Sequence, residues 1–194
     1  ASGASVLVSQ YYGANHPKGV HGAVHTVTAF SLICGAGMMV VGIIFAPTFL
    51  QWMKTPADTM DMSVLYLRVY FAGMIGNMIY NTGSGILRAA GDSRRPLIFL
   101  IVSCLINIVL DIIFIIPMHM GVFGAALATI LAQAISAVMV LYVMCTSQDM
   151  YRLDLRQIRM ERRMLISMIR IGLPAGLQCV MYGISNILVQ VGVN

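Results

Sequence analysis

Long apolar runs constrain this chain more than any other feature of its sequence. Residues 97–118 and 121–145 are the clearest, and the second run contains no charged side chain. As an α-helix, each run is long enough to cross a hydrocarbon core about 30 Å thick. Surface helices of soluble proteins carry a polar stripe, whereas the polar residues here are mostly scattered Ser, Thr and Asn, typical of close helix packing in a bilayer. The runs therefore predict membrane-spanning helices.

Composition supports the same interpretation. The chain is 59% hydrophobic and only 10% charged, with a mean hydropathy of +0.85, values outside the usual range of soluble domains. The residue alternation of a membrane β-barrel is missing. Four cysteines occupy four separate apolar segments without a CxxC pair, so they predict neither a disulfide framework nor a metal site. We expect an all-α integral membrane protein built as a polytopic helix bundle.

Pro and Gly residues divide the chain into spans. We predict a partial span ending near Gly13, followed by five spans near residues 22–50, 62–88, 96–117, 121–145 and 164–194. No joint between them is long enough to hold a soluble domain. The sequence begins without methionine inside an apolar stretch, so we expect a chain truncated at both ends, in which a signal peptide is neither recognised nor excluded.

The distribution of basic residues predicts the orientation of the bundle. Ten of the twelve Lys and Arg residues fall in or beside alternate loops, and only Lys54 and Arg68 lie near the others. Basic residues of short loops stay in the cytoplasm, so the loops near residues 14–21, 89–96 and 146–163 are predicted to be cytoplasmic, in a multi-pass protein of the cell inner membrane. The net charge of +5 then matches anionic membrane lipid and indicates no nucleic acid.

Residues 151–163 form the only strongly charged stretch. Drawn as a helix, this stretch places Arg156, Arg159 and Arg163 on one face. Two interpretations are open, an amphipathic connector lying at the membrane interface and a solvated cytoplasmic linker between two bundles.

Five short motifs point to one family. They are SQYYGA at residues 9–14, GILRAAGDSRRP at 85–96, NIVLD at 107–111, GVFGAALAT at 121–129 and IGLPAG at 171–176. Each motif alone is weak, but in this order and spacing the chain resembles the multidrug and toxin extrusion (MATE) transporters over nearly its whole length.

The resemblance implies a fold and a function. MATE proteins have twelve helices in two six-helix lobes, so residues 1–145 would run from the end of helix 2 to helix 6 of the first lobe. Residues 146–163 would be the cytoplasmic linker between lobes, and residues 164–194 would be helix 7. The implied function is antiport of drugs or toxic organic cations against H+ or Na+, without a cofactor and without enzymatic chemistry, by a protein that is monomeric when complete.

Asp111 is the acid within the predicted spans. Membrane acids are costly and usually serve ions or protons. Asn107 lies one turn earlier on the same face, and antiparallel packing would bring Thr129 of the next span to a similar depth. In the DinF-like branch of the family, the matching residues bind a cation or proton together with an aspartate of helix 1. The resemblance therefore implies a site at Asn107, Asp111 and Thr129, with Na+ as its only candidate metal. The alternative is that Asp111 only hydrogen-bonds a neighbouring helix.

Electrostatics explains why a membrane acid suits an ion site. A carboxylate in a low dielectric is stabilised by taking a proton or by binding a cation with oxygen ligands.

NorM-like members of the family carry a further acid beyond the helix 7 proline. Residues 175–194 contain no acid, which favours coupling through the first lobe.

Other polar residues are candidates for a central drug cavity. Asn77 and Asn81 share a predicted helix face, and Gln133 and Gln178 fall in two further spans. Interhelical hydrogen bonding is the alternative role for each of them. His21 and His25 have a spacing that metal sites use on helices, but no acid or cysteine accompanies them, so we predict no metal there.

Three other functions are open from the sequence. A lipid-linked oligosaccharide flippase of the same superfamily would carry basic residues inside its cavity, whereas the basic residues here lie at span ends. A membrane enzyme would need clustered catalytic groups, which makes it the weakest alternative. An inactive fragment is the third, since alternating access needs two lobes.

Overall fold

The structure, a computed structural model, describes residues 2–53, 56–154 and 158–193. Over these residues it contains helices and no strand, which confirms the predicted all-α fold. The helices are α1 (Ser2–Gly13), α2 (Pro17–Trp52), α3 (Ala57–Ala72), α4 (Met74–Ala89), α5 (Arg94–Ile115), α6 (Gly121–Thr146) and α7 (Arg162–Val193).

Among the described residues, four helices are long and apolar enough to cross a membrane, and the number of spans is five if one bent helix pair is counted as a single span. The single span predicted at residues 62–88 is in fact α3 and α4, which meet at an angle of 46°. Gly73 separates them and is buried against α6, where an added Cβ would lie 2.7 Å from Cγ1 of Ile130. Sharp helix bends occur at glycine, and this one allows the backbone to approach α6 closely.

Helix α2 begins five residues earlier than predicted. Pro17 stands in its first turn, and the Nδ1 atom of His16 accepts a hydrogen bond of 2.9 Å from the backbone N–H of Gly19. Proline tolerates the first turn because that turn lacks intrahelical partners for its N–H groups, and a side-chain acceptor satisfies one of them. Part of the predicted loop at residues 14–21 is therefore helical.

The buried core lies where α1, α2, α4 and α6 pack together. Its fully buried side chains include Val8 of α1, Val20 and Val24 of α2, Ile86 and Leu87 of α4, and Val140 of α6. By contrast, α5 packs mainly on α6 and exposes many large apolar side chains, including Ile101, Leu105 and Ile112 at more than half of their surface. Such a face suits contact with lipid tails.

The segment between α6 and α7 is docked onto the bundle. Its described parts, residues 151–154 and 158–161, are not helical, so the predicted helical face of arginines is wrong there, and Arg156 lies outside the described residues. Tyr151 and Leu153 are buried at 3% and 2% exposure, and burial raises the pKa of the Tyr151 hydroxyl. The backbone N–H of Leu153 donates to the Met144 carbonyl at 3.0 Å. We call the two described pieces, residues 151–154 and 158–161, the strap. The described ranges also leave out Ala1 and Asn194, the first and last residues of the sequence, and Lys54, which the sequence places in a loop.

Two side chains of α2 hold the strap by its backbone. Nδ1 of His25 lies 2.8 Å from the His21 carbonyl oxygen, and Nε2 lies 3.2 Å from both the backbone nitrogen and the carbonyl oxygen of Asp154. With the ring proton on Nδ1, which donates to His21, Nε2 accepts from the Asp154 N–H. The hydroxyl of Thr26 accepts from the backbone N–H of Glu161 at 3.1 Å. His25 and Thr26 are 2% and 0% exposed, and because they are consecutive residues they hold both pieces of the strap at the same level of α2.

Replacing His25 by Ala is expected to free the strap. It removes the acceptor of a partly buried amide, a loss of about 1–3 kcal/mol, so amide exchange at Asp154 should accelerate by about 5- to 150-fold. Hydrogen exchange read by mass spectrometry on peptides covering Asp154 and Glu161 measures this. The matched control is His21→Ala, which removes an exposed ring stacked on His25 at 4.0 Å but keeps the carbonyl. Equal exchange in both variants would contradict the docking role of His25.

Candidate ion site and cavity

Asn107 and Asp111 occupy one face of α5, one turn apart. Both residues are partly buried, and both carry a buried polar atom without a hydrogen-bond partner, Nδ2 of Asn107 and Oδ1 of Asp111. Most buried polar groups in proteins are paired, and an unpaired one costs about 1–3 kcal/mol. The third such atom among the described residues is the Ser84 hydroxyl of α4. Two of the three orphans thus belong to the predicted ion site.

Two contacts fix the relative depth of α5 and α6. The Ser103 hydroxyl of α5 donates to the Ala132 carbonyl of α6 at 2.9 Å, and a Cβ added to Gly124 would lie 2.9 Å from Cβ of Phe114. With a rise of about 1.5 Å per residue, Thr129 then lies within about 3 Å of the depth of Asn107, and Asp111 about one turn further toward the α5–α6 loop.

Thr129 is partly buried on α6. Its hydroxyl donates to the Ala125 carbonyl of its own helix at 3.0 Å, which leaves the oxygen lone pairs available as ligands. The structure thus places the three predicted residues on adjacent helices at similar depths.

The donor set fits a proton or a hard cation. Asp111 offers carboxylate oxygens, Thr129 a hydroxyl oxygen, and Asn107 an amide that presents its oxygen or its nitrogen depending on its flip state. Oxygen ligands of this kind suit hard metal ions such as Na+, while thiolate and imidazole, which select transition metals, do not take part. Among the described residues, no group of three His, Cys, Asp or Glu side chains is arranged to hold a metal.

A cavity of about 450 Å³ lies between α7 and the helices α1, α2 and α4. Its lining is largely apolar, with Phe30, Met78 and Met168 among the larger side chains and the hydroxyls of Ser31 and Thr82 as polar points. Ser31 donates to the Thr28 carbonyl at 2.8 Å. The volume lies within the range of small-molecule pockets.

The four residues predicted for the drug cavity lie elsewhere in the structure. Asn77 is partly buried, and Asn81 is exposed and donates to the side-chain oxygen of Asn77 at 2.7 Å. Gln133 is partly buried on α6. Gln178 is exposed and lines a separate depression on α7 with Met181, Tyr182 and Ser185. The structure brings Asn77 and Asn81 together but does not join the four in one cavity.

Sequence reasoning missed Ser31, Thr82 and the docking role of His25. Hydroxyls inside spans are common and give no signal that separates a cavity wall from helix packing. The four-residue spacing of His25 from His21 is a signal in the sequence, but the partner of His25 is a backbone amide 129 positions along the chain. A backbone partner leaves no trace in the sequence.

The comparisons with known proteins cover nearly the whole chain. The MatE family profile matches residues 1–113. The chain is 30% identical over 200 residues to the probable multidrug resistance protein YoeA of Bacillus subtilis, covering 100% of the chain and 43% of YoeA. It is 31% identical to the probable multidrug resistance protein YpnP of the same organism, over 89% of the chain and 38% of YpnP.

A solved structure of MATE in a bent conformation matches with a TM-score of 0.88 and 28% identity, covering 95% of this chain and 42% of that one. The chain thus spans less than half the length of the relatives that it matches. Because the profile covers more than half of the chain and the apolar helices, the motifs and the bundle agree with it, the chain belongs to the MatE family of membrane transporters.

Proposed function

We propose that this chain is part of a secondary antiporter that exports drugs or toxic organic cations in exchange for H+ or Na+. The observation that carries the proposal is the pair of orphaned polar atoms on Asn107 and Asp111, in a chain whose relatives are named multidrug resistance proteins. Asn107, Asp111 and Thr129 bind the coupling ion, as in the DinF-like branch, and no other cofactor takes part.

Neutralisation of Asp111 drives the conformational cycle. An ionised carboxylate in a low dielectric costs free energy, which a proton or a cation relieves. A ligand shifts a conformational equilibrium only by its difference in affinity between the states. Binding therefore favours the state in which the three residues converge, and release favours the other.

The arrangement of the two lobes follows the family pattern. Residues 1–145 belong to the first lobe, 146–163 to the cytoplasmic linker and 164–194 to helix 7 of the second lobe. The buried core shared by α1, α2, α4 and α6 supports the first of these assignments. Loops near residues 14–21, 89–96 and 146–163 face the cytoplasm in the inner membrane, and the complete protein works as a monomer.

Substrates enter the cavity between α7 and the first lobe. Its apolar lining and two methionines suit lipophilic molecules of varied shape, because methionine side chains adapt to irregular surfaces. Asn77, Asn81, Gln133 and Gln178 add polar contacts along the wider cleft that the complete second lobe encloses.

Efflux from membrane vesicles tests the function. The full-length protein is reconstituted, loaded with a fluorescent organic cation, and supplied with an H+ gradient or a Na+ gradient separately. Export driven by one gradient and abolished by its collapse is the expected result. Absence of export with both gradients, for a panel of lipophilic cations, would refute the proposal.

A further inference from the structure

The strap and the start of α7 carry a group of exposed arginines. We call Arg159, Arg162, Arg163 and Arg170 the arginine surface; all four are exposed. The acid within residues 158–170 is Glu161, whose carboxylate lies against α2, where a Cβ added to Gly22 would be 3.1 Å from its Oε1. Within the described ranges none of the four arginines belongs to an ion pair, so their charge is not locally neutralised.

The strap holds this surface on the outside of the bundle. The Thr26 hydroxyl bonds the backbone of Glu161 at 3.1 Å and approaches the carbonyl of Arg159 at 3.5 Å. Tyr151 and Leu153 fill the core. Because the backbone is bonded on the α2 side and these apolar residues point inward, the guanidinium groups are left outward.

The arginine surface lies next to exposed apolar residues of α7. Arg162, Ile166 and Arg170 follow one face of the helix at four-residue spacing, and Ile166 is 51% exposed. Leu177 follows at 59% exposure. Arg170 lies about 12 Å along the helix from Arg162, a depth from which a long arginine side chain still reaches the headgroup region.

A second basic region of the chain contains acidic residues beside its arginines. Arg94 and Arg95 line a polar cavity of about 330 Å³ together with Asp92 and Asp149. Arg95 pairs with Asp92 at 3.2 Å, so the acids there balance the bases. The unbalanced positive charge is concentrated on the strap and α7.

We propose that the arginine surface binds the phosphate headgroups of anionic phospholipids in the cytoplasmic leaflet. Guanidinium groups form bidentate, charge-assisted hydrogen bonds with phosphate oxygens, and the apolar stripe below them contacts the acyl chains. The lipid thereby fastens the strap between α2 and the membrane surface. The proposal rests on the cytoplasmic orientation and is independent of transport activity.

Lipid binding by the full-length protein tests the proposal. The protein is placed in nanodiscs of phosphatidylcholine alone or of an equimolar mixture with phosphatidylglycerol, and retained phosphatidylglycerol is measured by native mass spectrometry. The triple variant Arg159→Gln, Arg162→Gln, Arg163→Gln is expected to bind phosphatidylglycerol about 100-fold more weakly. The matched control Lys18→Gln, Arg88→Gln, Arg94→Gln removes the same charge from exposed positions on the same side, and should lose less than about tenfold.

Three results would overturn the proposal. One is an equal loss in the two triple variants, which would reduce the effect to total charge. Another is an unmodified protein that does not distinguish the two lipid mixtures, as expected if the second lobe covers this face. The last is displacement of phosphatidylglycerol by inorganic phosphate at equal concentration, which would indicate a site for a free anion. Size-exclusion profiles establish that both variants fold.

Discussion

Replacing Asp111 by Asn in the full-length protein is expected to abolish ion-driven efflux while expression stays normal. The amide has nearly the same shape, so packing on α5 is kept, but it carries no charge for a proton or cation to neutralise. A group that supplies the coupling step is expected to be worth about 100-fold or more in rate. Vesicle efflux under an imposed gradient measures the change.

A matched control tests whether the loss of efflux is specific to the acid within the membrane. Asp61 is exposed near the start of α3, so Asp61→Asn removes a solvated carboxylate and should leave efflux within about twofold. Normal efflux in Asp111→Asn would refute the assigned site. A second result would also contradict it. If Asp111→Asn stops drug export while the coupling ion still moves through the protein down its gradient, Asp111 serves substrate binding instead.

Replacing Gly3 by Ala is expected to separate α1 from α7. A Cβ added to Gly3 would lie 2.6 Å from Cα of Gly172 and 2.7 Å from the carbonyl oxygen of Met168, both backbone atoms. A backbone cannot yield as a side-chain tip does, so the crossing must open. Overpacking of this kind costs about 1–3 kcal/mol, and small residues at crossings are what allow membrane helices to approach.

The partner glycine gives a control within the same crossing. A Cβ added to Gly172 would lie 3.5 Å from Cα of Gly3, an ordinary van der Waals distance. Gly172→Ala should therefore keep the melting temperature of the full-length protein in detergent, while Gly3→Ala lowers it by several degrees. Equal melting temperatures, or a larger decrease in Gly172→Ala, would contradict the contact geometry.

The fold was largely predictable because hydrophobicity in a bilayer acts over whole segments. Spans of some twenty apolar residues are visible without knowing what they contact, and the predicted all-α bundle is confirmed. The break at Gly73 was not predictable in the same way. Gly73 allows the backbone to approach Ile130, but a glycine within an apolar run is equally compatible with a straight helix.

The ion site was predictable in its residues but not in its surroundings. Asp111 stands out in an apolar run, and the turn from Asn107 to Asp111 follows from helix geometry alone. The motif match added Thr129. The depth of α6 against α5 depends on the Ser103 hydroxyl meeting the Ala132 carbonyl, a contact between a common polar residue and a backbone atom. Roles for Asn77, Asn81, Gln133 and Gln178 stay predictions.

The buried strap residues bear on the order in which the chain folds. Tyr151 and Leu153 follow α6 closely, and apart from Met168 every buried member of the core precedes α7. Domains generally fold in the order in which the ribosome delivers them. The core shared by α1, α2, α4 and α6 can thus close, with the strap residues Tyr151 and Leu153 in place, before α7 is inserted.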